Sequence, residues 1–565
     1  MATENFYTDN ADLQFITAQM VDWANIFRLK ENPAQDPDCP FANAEEAKAA
    51  YLEMLNDPIG SLAAQRIAPR AAEVDDIGCQ FKDGQVIFPE ALQRNLKDLC
   101  DAQLMGLTIP RKYGGLGFPE TMYTAAIEII SRADASLMNF FGLQGGIAEC
   151  ISQFASDELK DKYLPGMATG EQTGAMALTE PDAGSDLANV QTRAGGFEAM
   201  HNPETGEWTL SGAKRFITNG CGDVILVLAR SEDPEKKGGG RGLSFFLVEK
   251  SERVKVRRIE HKLGIHGSPT CELYFDNAPG YLIGKRGFGL ARYTSWLMLA
   301  ARLAVAAQAQ GISEASLQAA LRYAAEREQF GKPIRLFPQV AAILQGMRIA
   351  CEASRALLYA ASEIVDLHQG AERLGLKDEE KKYSKLADLL TPMVKYYTTE
   401  LSNKLAYDAI QIHGGNGFMQ EYPVERLYRD ARITNMYEGT SQIQLIWAIS
   451  RIVRGDMNDL LQAEAARPVS DPELNVLMQK TKQAQAMLGE VVAFLQGKDN
   501  DYREWVAKPV TDLAIDVYVS FLFLRQAELW DAKREVARAF VNEMLPRCAM
   551  NREYALNGQP AVPKA

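Results

Sequence analysis

Apolar positions along the chain recur with two different periods, and the change from one to the other divides it. Residues 11–30 and 43–56 carry helical spacing and stop at a break made by Pro58 and Gly60. From 61 to 172 the spacing stays helical, punctuated by the turn-rich run 110–117; within it, 120–131 reads as a core helix. Between 173 and 285 the pattern shifts to short alternating or β-branched runs, at 208–210, 224–228 and 243–248. Turn clusters such as Gly238-Gly239-Gly240 separate them, which predicts several short antiparallel strands. From 288 to about 455 long Ala/Leu/Glu-rich segments return, broken at Gly331-Lys332-Pro333 and at Gly414-Gly415-Asn416-Gly417, as at the ends of a helical bundle.

Residues 460–470 read as a linker. Asp471 and Pro472 then offer a helix start, with Asp capping and Pro at the first helical position. Helical stretches follow near 473–496, 510–531 and 533–545. The predicted fold is mostly α with a central β domain. Its segments are an N-terminal helical extension (1–60), a helical domain (61–172), a small antiparallel β domain (173–287), a helical bundle (288–457) and a helical C-terminal extension (458–565).

Composition narrows the function. A chain of 565 residues suggests roughly three to four domains. A net charge of −13 argues against nucleic acid or an anionic membrane as the main partner, while leaving room for a local basic patch that meets phosphates. The eight cysteines include no CxxC pair, so they read as reduced thiols. Among the five histidines the closest pair, His261 and His266, lacks a further ligand cluster, so no metal is expected. The N-terminus has no basic region followed by an apolar run, and the most apolar stretch, 293–308, is interrupted by Arg302. The expected location is cytoplasmic, with no integral membrane segment.

Two motifs carry chemistry. Ala177-Leu178-Thr179-Glu180-Pro181-Asp182-Ala183-Gly184-Ser185-Asp186 is a strand running into a turn rich in hydroxyls and backbone donors. Met436-Tyr437-Glu438-Gly439-Thr440-Ser441-Gln442 sets one carboxylate in a mostly uncharged setting. Such a carboxylate can act as a base where water is excluded, because desolvation raises its pKa. It can equally serve a helix N-terminus, with Gly439-Thr440-Ser441 as cap-like residues. On spacing alone the second role is the simpler one.

Together the two motifs resemble those of the acyl-CoA dehydrogenase family, flavoenzymes that oxidise the Cα–Cβ bond of acyl-CoA thioesters. Further elements fall in the family's order: Phe216-Ile217-Thr218-Asn219-Gly220, Arg327-Glu328-Gln329-Phe330-Gly331 and 411–418. The resemblance covers roughly residues 60–455. The run 259–271, the N-terminal helices and the helical tail are similar to a long bacterial subgroup that includes methylmercaptopropionyl-CoA dehydrogenases and fatty acyl-CoA dehydrogenases.

The resemblance implies an FAD enzyme. Glu438 would remove the α-proton while its backbone N–H helps hold the thioester oxygen. Ala301 stands where some members carry the base, so Glu438 has no rival there, and Arg302 would lie near base and substrate. Met176, Leu178 and Thr179 would line the isoalloxazine, Phe216 would pack on it, and Thr218 would hydrogen-bond near its N5. For Met176 and Phe216 the alternative is plain core packing. Ser185 would meet the flavin or the pantetheine arm. Arg327, Phe330, Gln411 and Gly415 would hold the FAD of a neighbouring subunit, and Thr440 and Gln442 would also contact FAD, so a homo-oligomer, a dimer at least, is implied. Tyr437 and Gly439 would meet substrate. Met138 and Asn139, beside Phe140 and Gly142, would lie near the end of the acyl pocket, and none is Arg, which points to an uncharged acyl group. The implied product is a trans-2-enoyl-CoA, with electrons passing to electron-transfer flavoprotein. The competing readings are an acyl-CoA oxidase, a non-catalytic assembly relative, and a fold relative oxidising nitroalkanes or aromatics.

Overall fold

The computed structural model describes residues 4–34, 36–190, 198–202, 204 and 207–560. Two compact units result: one of residues 1–10, 31–315 and 425–433, the other of 11–30, 316–424 and 434–565.

In the first unit, helices α1 (Ala68–Ile77), α2 (Glu90–Asp101), α3 (Glu120–Ala133), α4 (Met138–Phe154) and α5 (Asp157–Thr169) precede the sheet. The helix expected at 120–131 is α3, and it is buried on all sides, its polar face of Glu120, Thr124, Glu128 and Arg132 included. The sheet follows as β1 (Gly174–Ala177), β2 (Glu198–His201), β3 (Trp208–Thr218), β4 (Val224–Arg230), β5 (Leu243–Glu249), β6 (Val254–Ile259) and β7 (Thr270–Ile283). Most pairings are antiparallel, but β1–β4 and the single β2–β4 contact are parallel. The purely antiparallel expectation is thereby corrected to a mixed sheet. A parallel pair needs a long crossover, and the chain carrying β2 and β3 supplies it between β1 and β4. The pairings β4–β5–β7–β3–β2–β4 close a ring, and β4, wholly buried, lies against neighbours on both edges. Helix α6 (Ser295–Glu326) comes next, and α4 packs on it where a Cβ at Gly146 would meet Leu297 and Ala300 at 3.6 and 3.7 Å.

The second unit holds the short hairpin β8 (Glu328–Gln329) and β9 (Lys332–Pro333), then α7 (Pro338–Arg373) and α8 (Lys377–His413). Helix α9 (Pro423–Thr434) returns largely to the first unit, whereas α10 (Ser441–Val453), α11 (Asn458–Ala465), α12 (Pro472–Gln496), α13 (Ala507–Leu529) and α14 (Ala532–Asn557) complete the second. The Asp471 carboxylate caps α12, accepting from the N–H groups of Glu473 and Leu474 at 2.9 and 3.0 Å, with Pro472 at the first turn as expected. The linker read at 460–470 is shorter, because α11 occupies its first half. The last helix runs well past 545 and carries Pro546 inside it.

The tail is built into the second unit rather than appended to it. Lys533 on α14 is fully buried and meets the carboxylates of Asp12 and of Glu352 on α7, the latter at 2.7 Å. Arg355, equally buried, reaches Asp12 at 2.5 Å. Each buried charge is matched, which the low dielectric demands.

In the first unit, the loop before β7 is set by charge. His266 faces two acceptors, the Asp75 carboxylate and the Lys262 carbonyl, both at 2.9 Å, and the Asp75 hydrogen bond raises its pKa. Arg429 closes on Asp75 at 2.5 Å. The same loop presents Pro269, whose carbonyl accepts from Asn219 N–H at 2.9 Å. Asp430 accepts the N–H of Ile265 at 2.5 Å, and burial pushes its carboxyl up to about 7.

A carboxyl whose pKa rises on folding stabilises the fold fully below its unfolded value of about 3.9, and that contribution is lost as pH climbs through about 7. Asp430→Asn is therefore expected to flatten the fall of the melting temperature between these values, as measured by thermal denaturation across that range. An unchanged slope would show that Asp430 does not titrate there.

Candidate active site

In the first unit, β1 leads out into Leu178 and Thr179, and this exit is fixed by a buried ion pair. Lys214 Nζ donates to the Leu178 carbonyl at 2.8 Å and to Glu180 at 2.9 Å. Burial lowers the Lys214 pKa to about 8, so the ammonium depends on Glu180 opposite. Arg215 N–H donates to the Thr179 carbonyl at 2.9 Å, which ties the two strand ends together. Met176 and Leu178 are buried in an apolar cluster that also contains Ile147, Leu297 and Ala301.

Phe216 behaves differently. Between Lys214↔Leu273 and Ile217↔Cys271 the pairing of β3 with β7 slips by one residue. A bulge of this kind re-aims a side chain. Phe216 takes φ 61° and is 53% exposed, with the Arg215 guanidinium 4.6 Å from its ring centroid. Core packing is thus excluded for Phe216, though it describes Met176. Thr179 and Thr218 are half-buried and Ser185 is exposed. Met138 and Asn139 are buried at the start of α4, where a Cβ on Gly142 would strike the Met138 sulfur at 2.6 Å. Arg302 is half-buried on α6, next to Ala301.

Glu438 belongs to the second unit, in the turn between α9 and α10. Glu438 and Gly439 both lie in the left-handed region, at φ 53° and 91°. For a residue with a Cβ that conformation costs roughly 1–2 kcal/mol, so neighbours must impose it. The Gln444 amide donates to the Glu438 and Gly439 carbonyls at 3.1 and 3.0 Å. Fully buried Lys395, on α8, donates to the Gly439 carbonyl at 2.7 Å. The Glu400 carboxylate takes the Ser441 hydroxyl and, at 3.1 Å, the Asn435 amide. Thr440 caps α10 through the Ile443 N–H at 3.4 Å. Of the cap-like residues Gly439, Thr440 and Ser441, the cap is therefore Thr440. Tyr437, Glu438 and Gly439 are half-buried, and Gln442 is exposed.

The same unit brings Arg327, Phe330, Gln411 and Gly415 to one end of the bundle. Phe330 and Gly331 form the two-residue turn of the β8–β9 hairpin, both with positive φ (51° and 78°), a geometry that usually takes Asn or Gly. Phe330 there is 94% exposed. Tyr323, one turn before Arg327, stacks on His413 at 4.2 Å and accepts from the Asn416 amide at 3.0 Å. That contact joins the hairpin to the glycine turn after α8. A Cβ at Gly414 or Gly415 would meet no atom within 4 Å, and Phe418 beyond them is 78% exposed. On α8, His413 lies 13 to 18 residues beyond Glu400 and Lys395, roughly 20–27 Å along the axis at 1.5 Å per residue. Glu438 and the Arg327 cluster are therefore far apart within one copy.

Sequence reasoning missed Lys214, Glu180, Lys395, Glu400 and Gln444. A signal existed for one of them: Lys395 is the only charge between Asp388 and Glu400.

Models of the acyl-CoA dehydrogenase N-terminal, middle and C-terminal domains match residues 50–171, 175–278 and 286–452. The 3-methylmercaptopropionyl-CoA dehydrogenase of Ruegeria pomeroyi is 35% identical over 79% of this chain and 76% of its own. An acyl-CoA dehydrogenase of Bacillus anthracis, solved complexed with FAD, is 26% identical with a TM-score of 0.71, covering 82% of this chain and 83% of that one. A chain of the solved structure described as the electron transferring flavoprotein of Acidaminococcus fermentans is 32% identical with a TM-score of 0.62, covering 71% of this chain and 97% of that one.

The tightness of the Glu438 turn is testable by itself. A Cβ at Gly439 would approach the Gln444 amide nitrogen to 2.6 Å at a φ that side chains rarely adopt. Gly439→Ala is expected to lower stability by about 1–3 kcal/mol, read by denaturant unfolding. A variant as stable as wild type would mean that the turn is not held in this conformation.

Proposed function

The chain belongs to the acyl-CoA dehydrogenase family, and on that premise we propose a specific division of labour among its residues. The family places it among oxidoreductases that dehydrogenate acyl-CoA. The residues present fit FAD. An aromatic ring is turned outward at the Phe216 bulge, two half-buried threonines sit at the strand ends, and a glycine turn with open backbone is joined to Tyr323, one turn before Arg327. Open glycines let amides approach a pyrophosphate, and Arg presents a fixed fork of donors. FAD, when bound, supplies the acceptor for the hydride that leaves the β-carbon.

Glu438 is the base that takes the α-proton, and its own N–H donates to the thioester oxygen as negative charge builds there. The observation that carries this reading is the left-handed Glu438–Gly439 turn, imposed by Lys395 and Gln444 although it costs stability. Strain held in place by buried neighbours is a mark of functional positions. Tyr437 and Gly439 border the substrate, and Arg302 adds positive charge beside it. Met176, Leu178, Thr179, Phe216 and Thr218 meet the flavin ring, and Ser185 meets flavin or pantetheine. Thr440 and Gln442 contact FAD. Met138 and Asn139 close the acyl end, and neither is cationic, which favours an uncharged acyl group.

Arg327, Phe330, Gln411 and Gly415 serve the FAD of a second copy. Their distance along α8 from the Glu438 turn and the exposure of Phe330 and Phe418 support a homodimer. Electrons leave to electron-transfer flavoprotein, in keeping with the Acidaminococcus fermentans structure.

Anaerobic mixing of the flavoprotein with straight, branched, sulfur-containing, aromatic and dicarboxylyl thioesters of CoA is expected to bleach the flavin with an uncharged member. Glu438→Gln is expected to keep FAD and slow that bleaching by about 10²–10⁴-fold. Reduction of this variant at the wild-type rate would remove Glu438 as base, and bleaching by dicarboxylyl thioesters alone would overturn the uncharged acyl group. Arg327→Ala is expected to weaken FAD retention by roughly tenfold, equivalent to about 1.4 kcal/mol, measured as flavin per chain after dilution. Undiminished flavin content would undo the assignment of Arg327 to a second copy's cofactor.

A further inference from the structure

We propose that Lys395 is a positioning residue for Glu438: its buried ammonium, with the Gln444 amide, holds the left-handed turn that aims the carboxylate. The inference rests on the reading of Glu438 as the base and adds a residue that acts only through it.

Three observations carry it. Lys395 is fully buried in the middle of α8, where an ammonium is expensive and a methionine of similar length would fill the space without that penalty. Its Nζ lies 2.7 Å from the carbonyl of Gly439, the residue directly after the base, a charge-assisted bond of the short and strong kind. Gln444, also buried, takes the same carbonyl and that of Glu438 itself. Both peptide carbonyls that follow the Glu438 side chain are thus pinned toward the bundle.

Pinning them fixes the torsions on either side of Gly439, whose φ of 91° and lack of a Cβ would otherwise leave the turn many alternatives. The Ser441 hydroxyl and Asn435 amide on Glu400 anchor the turn's two ends to the same helix. A base displaced by about 1 Å can lose on the order of a hundredfold in rate, so a small relaxation here is enough to matter.

The test compares Lys395→Met, Glu438→Gln and the double variant as full-length flavoproteins, reading FAD content, KM, and the anaerobic rate of flavin reduction by the acyl-CoA that bleaches the wild type. Lys395→Met is expected to keep FAD and to hold KM within about threefold, while reduction slows by roughly ten- to a hundredfold. In the Glu438→Gln background the same change is expected to slow the residual reduction no further, because a residue acting through the base has nothing left to position. Wild-type reduction by Lys395→Met, or an equal further loss in the double variant, would overturn the proposal. Wild-type reduction by Glu438→Gln alone would instead overturn the base itself, so the two failures are separable. Should Lys395→Met yield no folded flavoprotein, Gln444→Met, which removes the companion donor, is read by the same three measurements.

Discussion

Two peptide carbonyls held by a buried ammonium and a buried amide set the geometry on which the second unit turns. Lys395 and Gln444 draw the carbonyls of Glu438 and Gly439 inward, and the backbone accepts a left-handed conformation that a residue with a Cβ avoids. The long helix α8 makes this possible, because it carries Lys395 and Glu400 as a rigid rail beneath the turn. The N-terminal segment, α7 and the last helix lock together through half-buried Asp12 and buried Glu352, Arg355 and Lys533, which neutralise one another.

The first unit uses the same device in a sheet. Lys214 and Glu180 form a buried pair, and the lysine also takes the Leu178 carbonyl, so the end of β1 is held by charge rather than by ladder bonds alone. Beside it a single inserted residue in β3 turns Phe216 outward. In both units, then, a buried lysine donates to the backbone next to a residue to which chemistry is proposed. A buried charge needs its partners at fixed distances to be tolerated, and that requirement makes it a better ruler than an apolar contact of equal volume.

How much of this was legible depended on the range of the interaction. The helix at 120–133, the cap at Asp471 and the strand-rich middle rest on local periodicity and on side chains a few residues apart, and the sequence carries such information directly. The parallel β1–β4 pair was not legible, since strands of either sense share one alternating pattern. The last helix, read near 533–545, runs on to Asn557 through Pro546. Asp471 was foreseen as a cap by itself and Thr440 only as one of three cap-like residues, although its hydroxyl lies three residues before the N–H it accepts.

The sequence by itself determined the motifs to which the proposed chemistry is assigned and the order in which they occur: those of Thr179, Phe216, Arg327, the glycine turn and Glu438 are recognisable because they are short and contiguous. What only the tertiary structure decided is how they are held. Lys395 lies 44 residues from the carbonyl it binds, and Lys214 lies 36 from Leu178. Nothing in a periodic pattern distinguishes a lysine that faces water from one that will be sealed against a distant backbone oxygen. That choice is made when the helices and the sheet close, because burial alone turns an ordinary side chain into one that must find an acceptor.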